Sequence, residues 1–345
     1  MSAAPKCCSN CFGDKGLEKI IFGMSSERGT CSFCETANVD LVEPVKLRDV
    51  FGPLINIYEP AQDGRQLVQW FRDDWDLFHH PNIDTTRAKE LLAEVLDNGE
   101  IVRRLFAPSA KYKSDKLIVW ERLRTELMHE NRYFPTTRLD LERLEELLEN
   151  LKAEHVPTIW YRARLQPMEI PYSREEMGAP PPRIASHGRA NPAGIPYLYL
   201  ASTPETSISE IRPHTGERAS VAEFSLPEGL SVVDLQRPKR VLSPFAFADE
   251  DLIGPLRDDV AFLHRLGEEL TRPVVPQSAQ FDYVPSQYVC EYIKKCGYQG
   301  VLYRSSVGDG INLALFNPTL ATVQTVRQYG IVRVVADIQP IESQA

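Results

Sequence analysis

The sequence has no apolar run long enough to cross a bilayer. Its first residues, MSAAPKCCSN, lack the charged-then-apolar layout of a secretory leader. A cytoplasmic protein with no membrane partner is therefore expected. Positive charge is short as well: 39 Lys and Arg face 48 Asp and Glu, a formal net charge of −9. Binding to duplex nucleic acid needs a basic face, so this balance argues against nucleic acid as the main partner. It leaves room for a small anion held by a few local arginines. The chain also lacks a Walker loop, G-x-G-x-x-G, H-E-x-x-H and G-x-S-x-G. Their absence removes the commonest routes to nucleotide hydrolysis, dehydrogenation, zinc proteolysis and serine hydrolysis. No internal repeat or low-complexity tract is present.

What is there has the composition of a globular protein, 43% hydrophobic and 25% charged, and 345 residues suffice for two domains and a small third piece. Three regions differ in texture. Residues 1–45 hold five of the seven cysteines. Residues 46–155 carry apolar residues at helical spacing, as in Leu91, Leu92, Val95 and Leu96, and again in Leu141, Leu144, Leu147, Leu148 and Leu151. Thr85 and Thr86 are candidate N-caps for the first of these helices, and 113–132 reads as another helix. From 156 to 345 the chain turns to short aliphatic and aromatic runs broken by Pro and Gly. Strands are expected at 159–163, 197–201, 221–224, 232–235, 301–303, 313–316 and 331–335. Helices are expected near 258–270 and 286–296, the second closed by Gly297. Strands and helices do not alternate regularly, which points to an α+β fold.

Cys8 and Cys11 form one C-x₂-C knuckle and Cys31 and Cys34 another, at the spacing of a zinc ribbon. Each knuckle offers two thiolates from one tight turn. Four thiolates close a tetrahedron and leave no position for water, so a structural Zn²⁺ is expected. Disulfides are disfavoured in the cytoplasm. Cys7 is an alternative to Cys8, and Cys290 and Cys296 fit a helix core.

Four polar sets lie beside or within the apolar runs of the C-terminal region. They are Trp160-Tyr161-Arg162-Ala163-Arg164; the turn from Gly188 to Gly194; Thr206 to Arg212; and Tyr303-Arg304-Ser305-Ser306, followed by the stretch from Gly308 to Asn312. This pattern resembles the RES-domain family from about residue 159 to 316. Its most specific stretch is GRANPAGIPYLYLASTPETSISEIRP, residues 188–213. The first-strand arginine, the glycine-rich turn, the Tyr-x-Ala strand, the glutamate after it and the late serine stand in the family's order.

The resemblance implies an ADP-ribosyltransferase-like fold and a toxin of a toxin–antitoxin pair that consumes NAD⁺ as substrate, some relatives by transfer to phosphate. It also implies a separate antitoxin and a role in growth arrest or defence. The N-terminal part resembles a cysteine-rich, helical, HEPN-associated module found fused to RES domains. One departure stands out: Ala190 occupies a place where many RES domains have an aromatic, which bears on how Arg189 and Asn191 sit.

These residue types suit cleavage of the nicotinamide–ribose bond. Breaking it leaves positive charge on the sugar, which a carboxylate beside the ribose stabilises. Glu210 is the candidate, against the ordinary fate of a solvated helix glutamate. A guanidinium grips phosphate oxygens through paired hydrogen bonds. Arg162, at the end of an apolar strand, is the first candidate and Arg189 the second. Tyr199 is a candidate wall for a flat ring. Strand alternation puts Tyr197 on its face, where core packing is the simpler role. Asn191, Ser305 and Asn312 are candidate substrate-binding residues through hydrogen bonds, with Ser306 an adjacent competitor pointing the other way. Turn formation is the common alternative for such residues near glycines. The proline-rich 177–186, MGAPPPRIAS, is a candidate lid.

Two other classes compete. HEPN ribonucleases use an arginine and a histidine about one helical turn apart, and Arg124 and His129 in RTELMH fit R-x₄-H, a short pattern that a helix surface explains as well. The zinc ribbon and helices could instead form a binding module, which NAD⁺ cleavage does not preclude. Adjacent His79 and His80 face different ways on a helix, and His187, near the glycine-rich turn, is in reach of a substrate, although a loop histidine without a role is the simpler reading. The expected order is a zinc ribbon at 1–45, a helical domain at 46–155 and an NAD⁺-cleaving RES domain at 156–345. The acceptor is left open among phosphate, water and a protein side chain.

Overall fold

The computed structural model describes residues 4–335 other than Met168 and Pro276. The chain separates into two compact units, one of Met1–Leu151 with Arg237–Gly267, the other of Lys152–Gln236 with Glu268–Ala345. This differs from the expected linear order, because 237–267 packs with the first unit. Composition gives no warning of that return, since which unit a helix joins depends on contacts far away in sequence.

The first unit begins at the cysteine knuckles. Cys8 precedes and Cys11 ends a short 3₁₀ turn, Ser9–Cys11. Helix α1, Lys15–Met24, starts where Asp14 accepts from Leu17 N at 2.8 Å. The second knuckle lies between the paired strands β1, Glu27–Gly29, and β2, Val39–Leu41. Then follow α2, Arg48–Asn56; β3, Tyr58–Arg65; α3, Leu67–Trp75; and α4, Thr85–Leu96. The cap of α4 is Asp84, not Thr85 or Thr86: its carboxylate accepts from Arg87 N, and Thr85 is the first helical residue. Ala88, Leu91, Leu92 and Val95 make the buried stripe the sequence pattern requires.

Strand β4, Phe106–Pro108, pairs with β3. Helix α5 spans Lys116–His129 and α6 spans Leu141–Asn150, with Leu144, Leu147 and Leu148 buried. A chain of tilted aromatic contacts marks the core: Phe12 with Phe51 and Phe78 at 5.6 Å each, and Phe51 with Phe245 at 4.8 Å.

The second unit is built on a seven-stranded sheet. Its first stretch carries β5, Ile159–Leu165; β6, Leu198–Ala201; α7, Pro204–Glu210; β7, Arg218–Ser225; and β8, Val232–Asp234. The chain then gives α8, Pro238–Val241, and α9, Glu250–Thr271, to the first unit as far as Gly267. It resumes with α10, Ala279–Asp282; α11, Val284–Lys295; β9, Gly300–Arg304; β10, Ile311–Leu315; and β11, Thr322–Gly330. Gly297, at φ +90°, closes α11 in the left-handed region as expected. The strand expected at 331–335 is absent. Strand β11 precedes it, along a polar run whose half-buried residues the apolar pattern does not mark.

The strand order is β11-β7-β5-β6-β10-β9-β8, antiparallel except for β8 beside β9. One face is apolar, with Trp160, Leu198, Leu200, Ala222, Phe224, Leu302, Leu313 and Leu315 buried together. Met177, inside the proposed lid segment, sinks into the same core, so that segment is anchored at its start. Strands β5 and β6 share only the pair Tyr161↔Ala201, while β5 is fully paired with β7 and β6 with β10. The sheet is thus split along one seam. Among the described residues, no helix is long and apolar enough to cross a membrane.

Candidate active site

A cavity of about 310 Å³ opens at that seam, at the lower end of the range of small-molecule sites. Tyr161, Arg162 and Ala163 of β5 line it, with Tyr199, Leu200 and Ala201 of β6, and Ser207 and Glu210 of α7. His187, Gly188, Arg189, Ile211, Tyr283, Tyr303 and Asn312 complete the wall. By alternation Arg162 and Tyr199 belong to opposite faces of the sheet. They meet in one cavity because the strands stop pairing there.

Helix α7 delivers Glu210. Thr203 caps it by accepting from Thr206 N at 3.1 Å, and Pro204 sits in its first turn, where the missing N–H costs nothing. Glu210 Oε1 accepts from Ser305 Oγ at 2.7 Å and from Asn312 Nδ2 at 2.6 Å. Two late residues therefore fix one carboxylate oxygen and leave Oε2 for the cavity.

Arg162 lies in the middle of β5, not at its end. It donates to Gly178 O at 2.8 Å and has no carboxylate partner among the described residues. Burial, helped by neighbouring Arg164, pushes its pKa down to about 10. It remains cationic at neutral pH and is more easily satisfied by an anion than by water.

The Gly188–Asn191 turn is held by one phenol. Tyr199 Oη donates to Asn191 Oδ1 at 2.7 Å and accepts from Ala190 N at 2.9 Å and Asn191 N at 3.2 Å. Burial raises the Tyr199 pKa, which keeps the donor proton in place. A Cβ at Gly188 would overlap both Asn191 Oδ1 and the Tyr199 hydroxyl, so only glycine fits that approach. Helix α11 grips the turn from behind: Ser286 Oγ donates to Arg189 O at 2.5 Å and Gln287 Nε2 to Gly188 O at 2.9 Å. Arg189 donates to Arg272 O at 2.7 Å and Ser306 Oγ at 3.0 Å, its guanidinium 5.4 Å from the Tyr283 ring centre.

The expected residues thus divide. Arg162, Arg189, Tyr199, Glu210 and Asn312 line the cavity, and Ser305 holds Glu210 from behind. Asn191 is buried, and its amide nitrogen donates to Ser186 O and Pro192 O. It shapes the turn and is not among the cavity-lining residues. Both serines serve, Ser305 on Glu210 and Ser306 on Arg189, because the chain bends after β9 and no longer alternates. Tyr197 is core: its hydroxyl donates to Glu291 Oε1 at 2.7 Å and its ring packs on Phe316. His187 lines the cavity, within reach of what it holds. Tyr161 and Tyr303 stand in the polar sets of the sequence but are assigned no role there, and Tyr283 is not singled out. Alternation from Asn312 through the sheet register would have found Tyr303 and Tyr161; nothing local marks Tyr283.

A model of the RES domain matches residues 159–334, just over half of the chain. The chain belongs to the RES domain family. No curated protein matches it. A solved chain from the M. tuberculosis MbcT–MbcA toxin–antitoxin complex is 14% identical, covers 55% of this chain and 93% of its own, and superposes with a TM-score of 0.32. At that score the likeness carries no argument about the RES domain's function.

The second cluster lies in the first unit. The sulfurs of Cys8, Cys11, Cys31 and Cys34 all fall within 4.8 Å of one another and are buried. Cys8 Sγ is 3.4 Å from Cys34 Sγ, and Cys11 Sγ is 3.3 Å from Cys31 Sγ. A tetrahedral ion with Zn–S bonds near 2.3 Å sets its sulfurs about 3.8 Å apart, so the four thiols fit such an ion. Cys7 is not in the cluster; its backbone pairs with Val42. Arg124 and His129 lie on α5 five residues apart, which places them about 140° apart around the helix axis.

Proposed function

We propose that the seam cavity binds NAD⁺ and breaks its nicotinamide–ribose bond. The observation that carries this reading is the pairing of Glu210, oriented through one oxygen by Ser305 and Asn312, with an arginine that has no carboxylate partner, Arg162, in one cavity. As the C–N bond breaks, its electron pair leaves with neutral nicotinamide and positive charge develops on the ribose. The free oxygen of Glu210 stabilises that charge. Arg162 holds the pyrophosphate through paired hydrogen bonds, and Arg189 offers a second cationic contact. The tyrosine rings wall the flat bases.

Phosphate or water then supplies the oxygen that bonds to the ribose, giving phosphorylated ADP-ribose or ADP-ribose. Either route depletes NAD⁺ and fits a growth-arrest or defence toxin restrained by a separate antitoxin. Transfer to a protein side chain uses the same site. The first-unit cysteine cluster is assigned a structural Zn²⁺, and the HEPN-associated module around it an adaptor role. Ribonuclease action through Arg124 and His129 is the alternative reading, and it rests on the R-x₄-H spacing alone.

Mass spectrometry of the protein mixed with NAD⁺, with and without phosphate, tests the reading. Nicotinamide with phosphorylated ADP-ribose means phosphorolysis, and free ADP-ribose means hydrolysis. ADP-ribose found only on an added protein would establish the transferase alternative. NAD⁺ left intact in all arms would overturn the proposal.

A further inference from the structure

Four residues form a single row across the sheet: Tyr161 pairs with Ala201, Ala201 with Asn312, and Asn312 with Tyr303. Directly opposed residues in antiparallel strands point to the same face, and all four line the cavity. The small Ala201 leaves the row open in the middle. Asn312 holds Glu210, and Tyr303 stands one strand further on, about 5 Å away.

Tyr303 differs from the two tyrosines of the β6 segment. The hydroxyls of Tyr197 and Tyr199 are engaged, one with Glu291 and the other with the Asn191 turn. The Tyr303 side chain is only 4% exposed, yet its hydroxyl makes no hydrogen bond among the described residues. It is also absent from the polar atoms sealed inside the protein without a partner, so it reaches the cavity. A hydroxyl kept so nearly out of water is normally paired. Burial and the nearby carboxylate of Glu210 raise its pKa, so it presents an O–H and not a phenolate.

We infer that Tyr303 is a further substrate-binding residue, whose hydroxyl hydrogen-bonds the uncharged oxygens of the nicotinamide riboside half of NAD⁺. The assignment rests on the NAD⁺ reading of the cavity. The half follows from place: Tyr303 neighbours Glu210, which faces the ribose at the scissile bond. A neutral donor suits a hydroxyl or carboxamide there, whereas the phosphates fall to arginine.

The test is Tyr303→Phe, measured by NAD⁺ turnover with nicotinamide mononucleotide and AMP as competing inhibitors, and by thermal melting. Loss of one hydrogen bond to a neutral group predicts about a fivefold rise in KM for NAD⁺ and in the inhibition constant of nicotinamide mononucleotide. AMP inhibition and the melting temperature should stay as in wild type, because the hydroxyl has no protein partner to lose. Unchanged inhibition by nicotinamide mononucleotide, or a loss confined to AMP, overturns the assignment. So does a lower melting temperature with all ligands weakened alike, or failure to fold, since either marks a structural hydroxyl. If wild-type protein leaves NAD⁺ intact, the reading of the cavity fails first. Wild-type turnover with an indifferent Tyr303→Phe overturns this inference alone.

Discussion

The cysteine cluster and the seam cavity both gather polar groups, but they complete them differently. In the cluster four buried thiols face one another, with Thr36 Oγ1 and Lys6 O at its edge, a coordination sphere that would close on one ion. In the cavity three lining groups are left incomplete: one oxygen of Glu210, the guanidinium of Arg162 and the hydroxyl of Tyr303. Their neighbours are saturated, as Tyr199, Asn191, Ser305 and Asn312 show. A structural site satisfies its own members. A reactive one uses satisfied neighbours to hold unsatisfied groups in place.

Removing the metal should give the largest effect. Zinc-finger peptides draw about 10–16 kcal/mol of apparent folding energy from their ion. Elemental analysis should find one zinc per chain, near zero in Cys11→Ser, and a strong chelator should abolish a cooperative melting transition. Metal-free protein that melts unchanged would remove the cluster from the closed side of the comparison.

Glu210→Gln comes next. It keeps the shape and the contacts of Ser305 and Asn312 but removes the charge. Turnover should fall about 10²–10³-fold, the usual cost of losing one transition-state stabiliser, with little change in melting. A variant that keeps full activity would leave the carboxylate with no chemical role.

Tyr199→Phe probes the saturated neighbours. It strands Asn191 Oδ1 and two backbone N–H groups, a loss of about 1–3 kcal/mol. Melting should drop and activity fall through a loosened Arg189, in contrast to the indifferent melting expected of Tyr303→Phe. Equal melting of the two variants would erase the distinction between held and holding tyrosines.

The smallest effect concerns pH in the first unit. Glu126 accepts from Thr136 N and Thr137 N, and these hydrogen bonds hold its pKa down to about 2 against the usual 4.5. A carboxyl depressed on folding contributes fully above its unfolded value and loses that contribution as pH falls toward the folded one. Acid titration between pH 4.5 and 2 should therefore separate wild type from Glu126→Gln. Parallel curves would show that the contacts contribute nothing.

Much of this was legible before the fold was known. The paired knuckles predicted a four-thiol cluster from spacing, because two short turns contribute two sulfurs each. The gathering of Arg162, Glu210, Ser305 and Asn312 at one cavity was legible through their order along the chain. The inward turn of the Asn191 amide was not legible, because the sequence names a polar residue but not the direction of its amide. Tyr303 and Tyr161 were given no role because their places depend on register, which is fixed by the pairing of Ala201 with Tyr161, 40 residues before it, and with Asn312, 111 residues after it. The return of 237–267 to the first unit was illegible for the same reason.

That excursion has a consequence in time. Arg162 and Glu210 are made before residues 237–267, and Ser305 and Asn312 after them. Some 150 residues separate Arg162 from Asn312, about 8–30 s of synthesis at the usual pace of a ribosome. During that interval the nascent chain carries its arginine and its glutamate but not the two side chains that orient the carboxylate. A chain whose translation stalls before Asn312 is made never acquires the amide that orients Glu210.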